Sequence, residues 1–259
     1  MNYKMNAIDQ GDVSHHIENG IATVEFYHPL SNSLPGKVLA KLADTITELG
    51  MDDAVKILVV RSSGERAFCA GASFDELVAI DNLQTGKVFF SGFAQVINAC
   101  RTCPKLIIGR VQGKAVGGGV GLAAAFDYTL ATQHAFIKLS ELAVGIGPFV
   151  VGPAVERKIG VSAMSQLAIN ATEWQSAAWA KSKGLFTEVY DTAETMDDAI
   201  EALANQLCQS NPEAMQQLKQ VFWEGTEHWD TLLAQRAEIS GQLVLSDFTK
   251  KAIARFKKK

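Results

Sequence analysis

Short apolar runs alternate with stretches of helical periodicity along most of the chain. Residues 21–26 alternate apolar and polar side chains, and residues 56–61 and 106–111 are apolar runs bounded by polar residues, so all three are predicted strands. Between them, apolar residues recur at helical spacing over residues 38–49 and 87–102. This alternation predicts an α/β fold in which a largely parallel sheet is covered by helices.

The pattern continues to about residue 190 and then changes. Further short strands are predicted at residues 128–131, 136–139 and 185–190. A helix is predicted over residues 173–183, with Gly184 as its C-terminal cap. Beyond Asp191 the chain is rich in Ala, Gln, Glu and Leu and offers no strand, and Asn211-Pro212-Glu213 is a strong helix start.

These patterns predict two regions. Residues 1–195 form an α/β core, and residues 196–259 form a helical region. About 60 residues are too few for a large independent core. The helical region is therefore expected to pack on the core or on a neighbouring subunit.

Composition limits the class of protein. The chain has 259 residues, of which 47% are hydrophobic, and a formal net charge of -4, which argues against a nucleic-acid surface. Residues 1–20 are polar and lack the apolar segment of an export signal, and no segment approaches the ~20 apolar residues of a membrane span. Four cysteines in such a chain indicate reduced thiols, and we expect a cytoplasmic protein.

Two clusters of small residues follow predicted strands. Residues 67–72 come after the second strand, and Gly117-Gly118-Gly119 opens a helix after the strand at residues 106–111. Small residues at strand ends allow a ligand to approach the backbone, and helix-opening glycines expose N–H groups that suit a phosphate or a developing oxyanion. The glycines match neither the P-loop nor the dinucleotide-binding pattern. For the first cluster, a turn that only packs is an equally good interpretation.

Glu141 is the candidate acid. It ends a predicted strand and precedes the apolar residues 142–147. An apolar setting disfavours an ionised carboxylate, which prepares such a group to accept or donate a proton. A surface carboxylate beside a loop is the alternative, and it is the commoner case among the 28 acidic residues.

The cysteine pair Cys100-Arg-Thr-Cys103 raises a thiol-redox or zinc alternative. It closes a predicted helix instead of opening one, and Cys69, Cys208 and the scattered histidines supply no second ligand pair. We therefore expect no metal site, and a structural role for this pair.

Taken together and in this order, the motifs resemble the crotonase superfamily, also called the enoyl-CoA hydratase/isomerase family. The resemblance spans essentially the whole chain; its segments are residues 68–72, 113–119, Asp127, Glu141 and 177–190. It implies a crotonase-like spiral of β-β-α turns with a C-terminal helical trimerisation region. It also implies an acyl-CoA thioester substrate, assembly as a homotrimer or a dimer of trimers, and no cofactor besides the coenzyme A of the substrate.

The resemblance also implies roles for single residues. The backbone amides of Ala72 and Gly118 would hold the thioester oxygen and stabilise an enolate, and Glu141 would handle the proton. The position of a first family glutamate is Gly121 in this chain, so one acid of a pair is retained. Residues expected at the substrate site are Ala70, Gly71, Phe74, Gly117 and Gly121, with Lys257 of a neighbouring subunit as a candidate for the CoA phosphates.

A single carboxylate leaves the reaction open. Family isomerases move a proton with one carboxylate, which favours isomerisation, whereas residues 139–153 resemble a subgroup of 3-methylglutaconyl-CoA hydratases, whose members also lack the first glutamate. We favour a hydratase, with an isomerase or a non-catalytic acyl-CoA-binding protein as alternatives. The resemblance implies that the helical segment with Phe89, Phe90, Phe93 and Val96 walls the acyl pocket, although helical spacing fits core packing of these residues equally well. A cation for a second substrate carboxylate is not evident; Arg110, Lys114 and Lys138 lie nearby in sequence.

Overall fold

The computed structural model describes residues 7–256. The strands are β1 Asp12–Glu18, β2 Ile21–Tyr27, β3 Ser33–Leu34, β4 Ile57–Ser62, β5 Ala67–Cys69, β6 Gly71–Ala72, β7 Leu106–Val111, β8 Lys114–Val116, β9 Tyr128–Thr132, β10 Ile137–Lys138 and β11 Glu188–Tyr190. The helices are α1 Gly36–Met51, α2 Phe74–Ala79, α3 Leu83–Thr102, α4 Gly118–Ala125, α5 Gly152–Ile169, α6 Ala177–Lys183, α7 Ala193–Cys208, α8 Pro212–Phe222, α9 Trp229–Leu243 and α10 Asp247–Phe256.

The main sheet has six strands in the order β1-β2-β4-β7-β9-β11. All neighbouring strands are parallel except β1 and β2, which form an antiparallel hairpin. The predicted parallel sheet is thus confirmed, as are the strands predicted near residues 21, 56, 106 and 128.

The edge strand β1 was not predicted. Val13 is its single buried residue, so the strand has no alternating pattern, and backbone pairing with β2 holds it in place. Asn19 and Gly20, both with positive φ, form the hairpin turn, and this Asn-Gly pair was the available sequence signal.

A second, three-stranded sheet positions the functional residues. Its order is β10-β8-β5, and all three strands run parallel. The predicted strand at residues 136–139 is reduced to Ile137–Lys138, because the chain turns at Ser140 and Glu141 toward a short 3₁₀ turn, Leu142–Val144. The helix predicted over residues 173–183 begins only at Ala177, since Gln175 pairs with Ile137 and Ser176 caps the helix.

Helices cover both faces of the main sheet. On one face, α7 buries Met196, Ile200 and Ala204 against apolar side chains of the strands. On the other face, the packed residues include Phe26, Phe68 and Phe126, whose rings meet edge to face. The expected boundary at residue 195 lies in the first turn of α7, a helix that packs on the core sheet.

Asp127 anchors helix α8 to the core. Its carboxylate accepts hydrogen bonds from Lys219 Nζ at 2.8 Å, Trp223 Nε1 at 2.9 Å and the Ile107 N–H at 2.8 Å. The Asp127 and Lys219 side chains are 5% and 3% exposed. This motif residue therefore joins α8 to the core through a buried, hydrogen-bonded ion pair, and loss of one partner would leave the other charge buried without its counter-ion.

Within residues 7–256, every helix is too short or too polar to cross a lipid bilayer.

Candidate active site

A cavity of about 490 Å³ lies where the chain leaves the carboxyl ends of β5, β8 and β10. The predicted site residues that line this cavity are Ala70, Gly71, Ala72, Phe74, Gly117, Gly118 and Glu141. Gly121 is buried in α4 and is not part of the lining, and Lys257 lies outside the described residues. The three sequence clusters thus meet because three parallel strands end at one place.

Ala72 and Gly118 both line the cavity. Gly118 is the first residue of α4, so its N–H has no acceptor within the helix. The Leu34 carbonyl accepts from the Ser73 N–H at 3.0 Å. Because successive N–H groups of a strand point to opposite sides, the Ala72 N–H points away from β3. Two such amides can hold a carbonyl oxygen whose charge grows during reaction.

Two glycines allow these segments to approach closely. Gly71 has a φ of +94°, and a Cβ atom placed on it would lie 3.1 Å from the Val116 carbonyl oxygen and 3.7 Å from Gly118 N. Gly118 itself packs under the Phe93 ring, where a Cβ atom would lie 2.3 Å from Cε2. A side chain at position 118 would collide with this ring, and at position 71 the positive φ and the tight approach to the Val116 carbonyl disfavour one, so glycine suits both positions.

Glu141 lies beside Gly117, the residue that precedes Gly118. A Cβ atom on Gly117 would lie 3.1 Å from Glu141 Oε1, so the carboxyl group sits over the Gly117 backbone, next to the start of α4. Gly117 tolerates this contact because it has no side chain and adopts a φ of +52°. Glu141, Ala72 and Gly118 therefore line one cavity.

The environment of Glu141 favours its neutral form. Its Oε2 atom is buried and has no hydrogen-bond partner among the described residues. Burial raises the pKa of Glu141 from its ordinary 4.5 to about 7, opposed by a hydrogen bond from its own N–H. This confirms the expected apolar setting, and a carboxyl group with a pKa near neutrality can both accept and return a proton.

Apolar side chains form most of the remaining wall. Phe89, Phe90 and Phe93 line the cavity as expected, whereas Val96 is fully buried in the core behind them. Sequence reasoning did not single out Ile146 and Phe149, which also line the cavity. The apolar run that follows Glu141 was their only sequence signal.

The charged side chains of the cavity lining are Asp75 and Glu141. Among the described residues, no lysine, arginine or histidine contributes to this lining. Arg110 pairs with Asp197, with Nη2 2.9 Å from Oδ2. Lys114 and Lys138 lie over the ring of Trp174, 5.1 and 4.5 Å from its centroid. None of the three cations considered from the sequence lines the acyl pocket.

The cysteine pair has the properties of core residues. Cys100 and Cys103 are buried and free, and burial raises the pKa of both thiols. Such thiols are poorly ionised and therefore poor nucleophiles. These properties support the structural interpretation of the pair over the redox one.

Comparison with known proteins agrees with this geometry. Residues 16–259 match the family model described as enoyl-CoA hydratase/isomerase. The chain belongs to the enoyl-CoA hydratase/isomerase family. Membership makes it an enzyme of a family that acts on acyl-CoA thioesters, and it confirms the resemblance found from the motifs.

Relatives in this family include several hydratases. The chain is 28% identical over 242 residues to the short-chain-enoyl-CoA hydratase of Clostridium acetobutylicum, covering 92% of each chain. It is 30% identical over 200 residues to the human mitochondrial methylglutaconyl-CoA hydratase, covering 76% of this chain and 58% of the relative. The crystal structure of an enoyl-CoA hydratase from Bacillus halodurans superposes with a TM-score of 0.87 at 18% identity, covering 94% and 99% of the two chains, which confirms the crotonase fold.

Gly121, where the family resemblance places a first glutamate, has no free space beside it. A Cβ atom on Gly121 would lie 2.4 Å from Val151 Cγ1 and 2.5 Å from Val151 Cβ. Val151 also lines the cavity, so it separates Gly121 from the substrate space. Sequence reasoning missed Val151, because nothing local links it to Gly121.

Proposed function

We propose that this enzyme adds water across the C2=C3 double bond of a 2-enoyl-CoA thioester with an uncharged acyl chain. The observation that supports this proposal is that the Glu141 carboxyl group lies over the Gly117 backbone in a mostly apolar cavity that Ala72 and Gly118 also line. The relatives named as hydratases favour the same reaction.

In the proposed reaction, Glu141 acts first as a base. Its carboxylate takes a proton from water while the water oxygen bonds to C3, and the electrons of the double bond move through C2 to the thioester oxygen. The Ala72 and Gly118 N–H groups stabilise the resulting enolate. Glu141 then returns the proton to C2, giving a 3-hydroxyacyl-CoA and restoring the carboxylate. These steps use no metal or redox cofactor.

The preference for an uncharged chain follows from the wall of the cavity. 3-Methylglutaconyl-CoA carries a second carboxylate, and a buried carboxylate without a cationic partner is costly. The described lining supplies two acids, Asp75 and Glu141, and no cation. We therefore expect crotonyl-CoA to be hydrated faster than 3-methylglutaconyl-CoA.

Isomerisation is the second candidate, and the Val151 contact favours it. With the space beside Gly121 filled, one carboxylate is available to the substrate, which suffices to move a proton between two carbons. An isomerase would use the same amide pair and the same Glu141.

One experiment separates these reactions. Crotonyl-CoA, 3-methylglutaconyl-CoA and cis-3-hexenoyl-CoA are each incubated in D2O with the wild-type enzyme, with Glu141→Gln, and with Glu201→Gln as a control at an exposed glutamate of α7. The products are identified by mass spectrometry after return to H2O. Added water with one deuterium retained at C2, lost in Glu141→Gln alone, supports the proposal.

Other outcomes overturn parts of it. A double-bond shift in cis-3-hexenoyl-CoA without hydration of any substrate would establish the isomerase. Faster hydration of 3-methylglutaconyl-CoA than of crotonyl-CoA would contradict the proposed preference for an uncharged acyl chain. It would still support the proposed hydratase reaction. Full activity of Glu141→Gln would remove Glu141 from the mechanism.

We also propose a cytoplasmic homotrimer or dimer of trimers. Large apolar side chains are exposed on α5 and α8, including Ile169 at 74% and Val221 at 56%, and such surfaces are often covered by a neighbouring subunit. The four cysteines are all unpaired, as in a reducing compartment. Light scattering coupled to size exclusion measures the mass directly, and a monomer would contradict the assembly.

A further inference from the structure

The C-terminal helix α10 packs against the turn that carries Glu141. Thr249 in this helix is fully buried, and its hydroxyl donates a hydrogen bond to the Gly145 carbonyl oxygen at 3.0 Å. Ser246 precedes the helix and donates to Thr249 Oγ1 at 3.1 Å, so the two hydroxyls form a chain that ends on the turn. This contact joins segments about a hundred residues apart in sequence.

The contact leaves no space at Gly145. Its φ is +83°, and a Cβ atom there would lie 2.6 Å from Thr249 Oγ1 and 2.6 Å from Phe248 Cδ1. Both the backbone conformation and the close packing therefore require glycine. The helix rests directly on the backbone of the turn.

The backbone of this turn is tied to Glu141. The Glu141 carbonyl accepts hydrogen bonds from the Val144 N–H at 3.2 Å and from the Ile146 N–H at 3.0 Å. Val144 and Ile146 line the cavity and also pack on Val244 and on Ile253 of α10. Among the described residues no hydrogen bond fixes Glu141 Oε2, so the turn backbone that carries the side chain contributes to the position of the carboxyl group.

We propose that Thr249 is a positioning residue for Glu141 and that α10 clamps the catalytic turn. This inference rests on the proposed function, in which Glu141 transfers the proton. A shift of the turn by a fraction of a bond length would move the carboxyl group away from C2 and C3, and catalysis is sensitive to such displacements. The helical C-terminal region thus contributes to the active site of its own chain.

The first test compares four variants by steady-state kinetics with crotonyl-CoA. Thr249→Val removes the hydroxyl and keeps the shape, and Thr249→Ser keeps the hydroxyl. Ser246→Ala removes the second link together with the acceptor of the Thr249 N–H, which lies 3.3 Å from Ser246 Oγ. Thr226→Val is the matched control, because Thr226 is also buried and donates to the backbone carbonyl of Trp223.

We expect kcat to fall by about tenfold to a hundredfold in Thr249→Val, by less in Ser246→Ala, and to stay near wild type in Thr249→Ser and the control. KM should change less than kcat, because the amides of Ala72 and Gly118 still hold the thioester. Unchanged kcat in Thr249→Val, or an equal loss in Thr226→Val, would overturn the proposal. If Thr249→Val does not fold, Ser246→Ala is compared with Thr226→Val instead. A larger loss of kcat in Ser246→Ala supports the proposal, and an equal or smaller loss overturns it.

The second test does not require turnover. Urea unfolding is measured over a series of pH values for wild type and for Thr249→Val, each with and without Glu141→Gln. Within each background, the difference in unfolding free energy between the forms with and without Glu141→Gln gives the pH range over which stability responds to Glu141. A loosened turn admits water to the carboxyl group, so in Thr249→Val this response should move from about pH 7 toward the ordinary range. An unchanged response would contradict the clamp. If wild type hydrates no enoyl-CoA, the proposed function fails and this test still decides on the clamp.

Discussion

Replacing Glu141 by glutamine should cost activity and increase stability, and the increase should depend on pH. The rise of the Glu141 pKa from 4.5 to about 7 means that the folded protein keeps this proton to higher pH than the unfolded chain. Between these two values the folded state binds more protons, so stability falls as pH rises. Each pKa unit corresponds to about 1.4 kcal/mol, which makes the loss about 3 kcal/mol above about pH 7.

Glutamine has a similar shape and no charge, so Glu141→Gln should escape this loss. The assay is urea unfolding of wild type and Glu141→Gln at about pH 5 to pH 8 and one protein concentration, with Glu201→Gln as the exposed control. The stability of Glu141→Gln relative to wild type should rise by about 2–3 kcal/mol across this range, while turnover falls by roughly 10²–10⁴. A stability difference that is constant with pH would refute the assigned environment of Glu141.

Three further predictions concern the pH dependence and two buried contacts. First, kcat/KM should rise about tenfold per pH unit up to about pH 7 and then level off, because the ionised Glu141 is the base; a plateau already reached near pH 5 would contradict this. Second, Asp127→Asn should lower the unfolding free energy by about 3–5 kcal/mol, since it leaves the Lys219 charge buried without its anion; a loss below about 1 kcal/mol in urea unfolding would show that the pair is not needed. Third, Gly121→Ala should cost about 1–3 kcal/mol by overpacking against Val151, and adding Val151→Ala should recover part of it; additive losses in the double-mutant cycle would mean that the two side chains do not collide.

The parts of the site that were predictable are those encoded locally. The motifs containing Ala72, Gly118 and Glu141 were recognised from their residue types and order, and Glu141 follows a predicted strand. Strands β5 and β8, which end at the site before the other two motifs, were not predicted. The apolar residues after Glu141 indicated a poorly solvated carboxyl group but left a surface carboxylate as the commoner case, and the burial of Glu141 in the structure decides between them.

What could not be predicted depends on contacts between distant segments. Val151 fills the space beside Gly121, and Thr249 bonds to the turn after Glu141, yet no short-range pattern marks either contact. Strand β1 escaped detection for a different reason, because an edge strand is held by its backbone and can have polar side chains on both faces. Hydrophobic periodicity predicts an element from the pattern of its buried side chains. It therefore cannot predict a strand such as β1, in which one side chain is buried.

The contact between Gly121 and Val151 also constrains the evolution of this enzyme. A larger residue at position 121 alone collides with Val151, and a smaller residue at position 151 alone leaves a void. Each single step toward a second carboxylate therefore lowers stability before it can contribute chemistry, so the two positions are epistatic. We therefore expect a laboratory search for a two-acid variant to succeed more often when positions 121 and 151 are varied together than when either is varied alone.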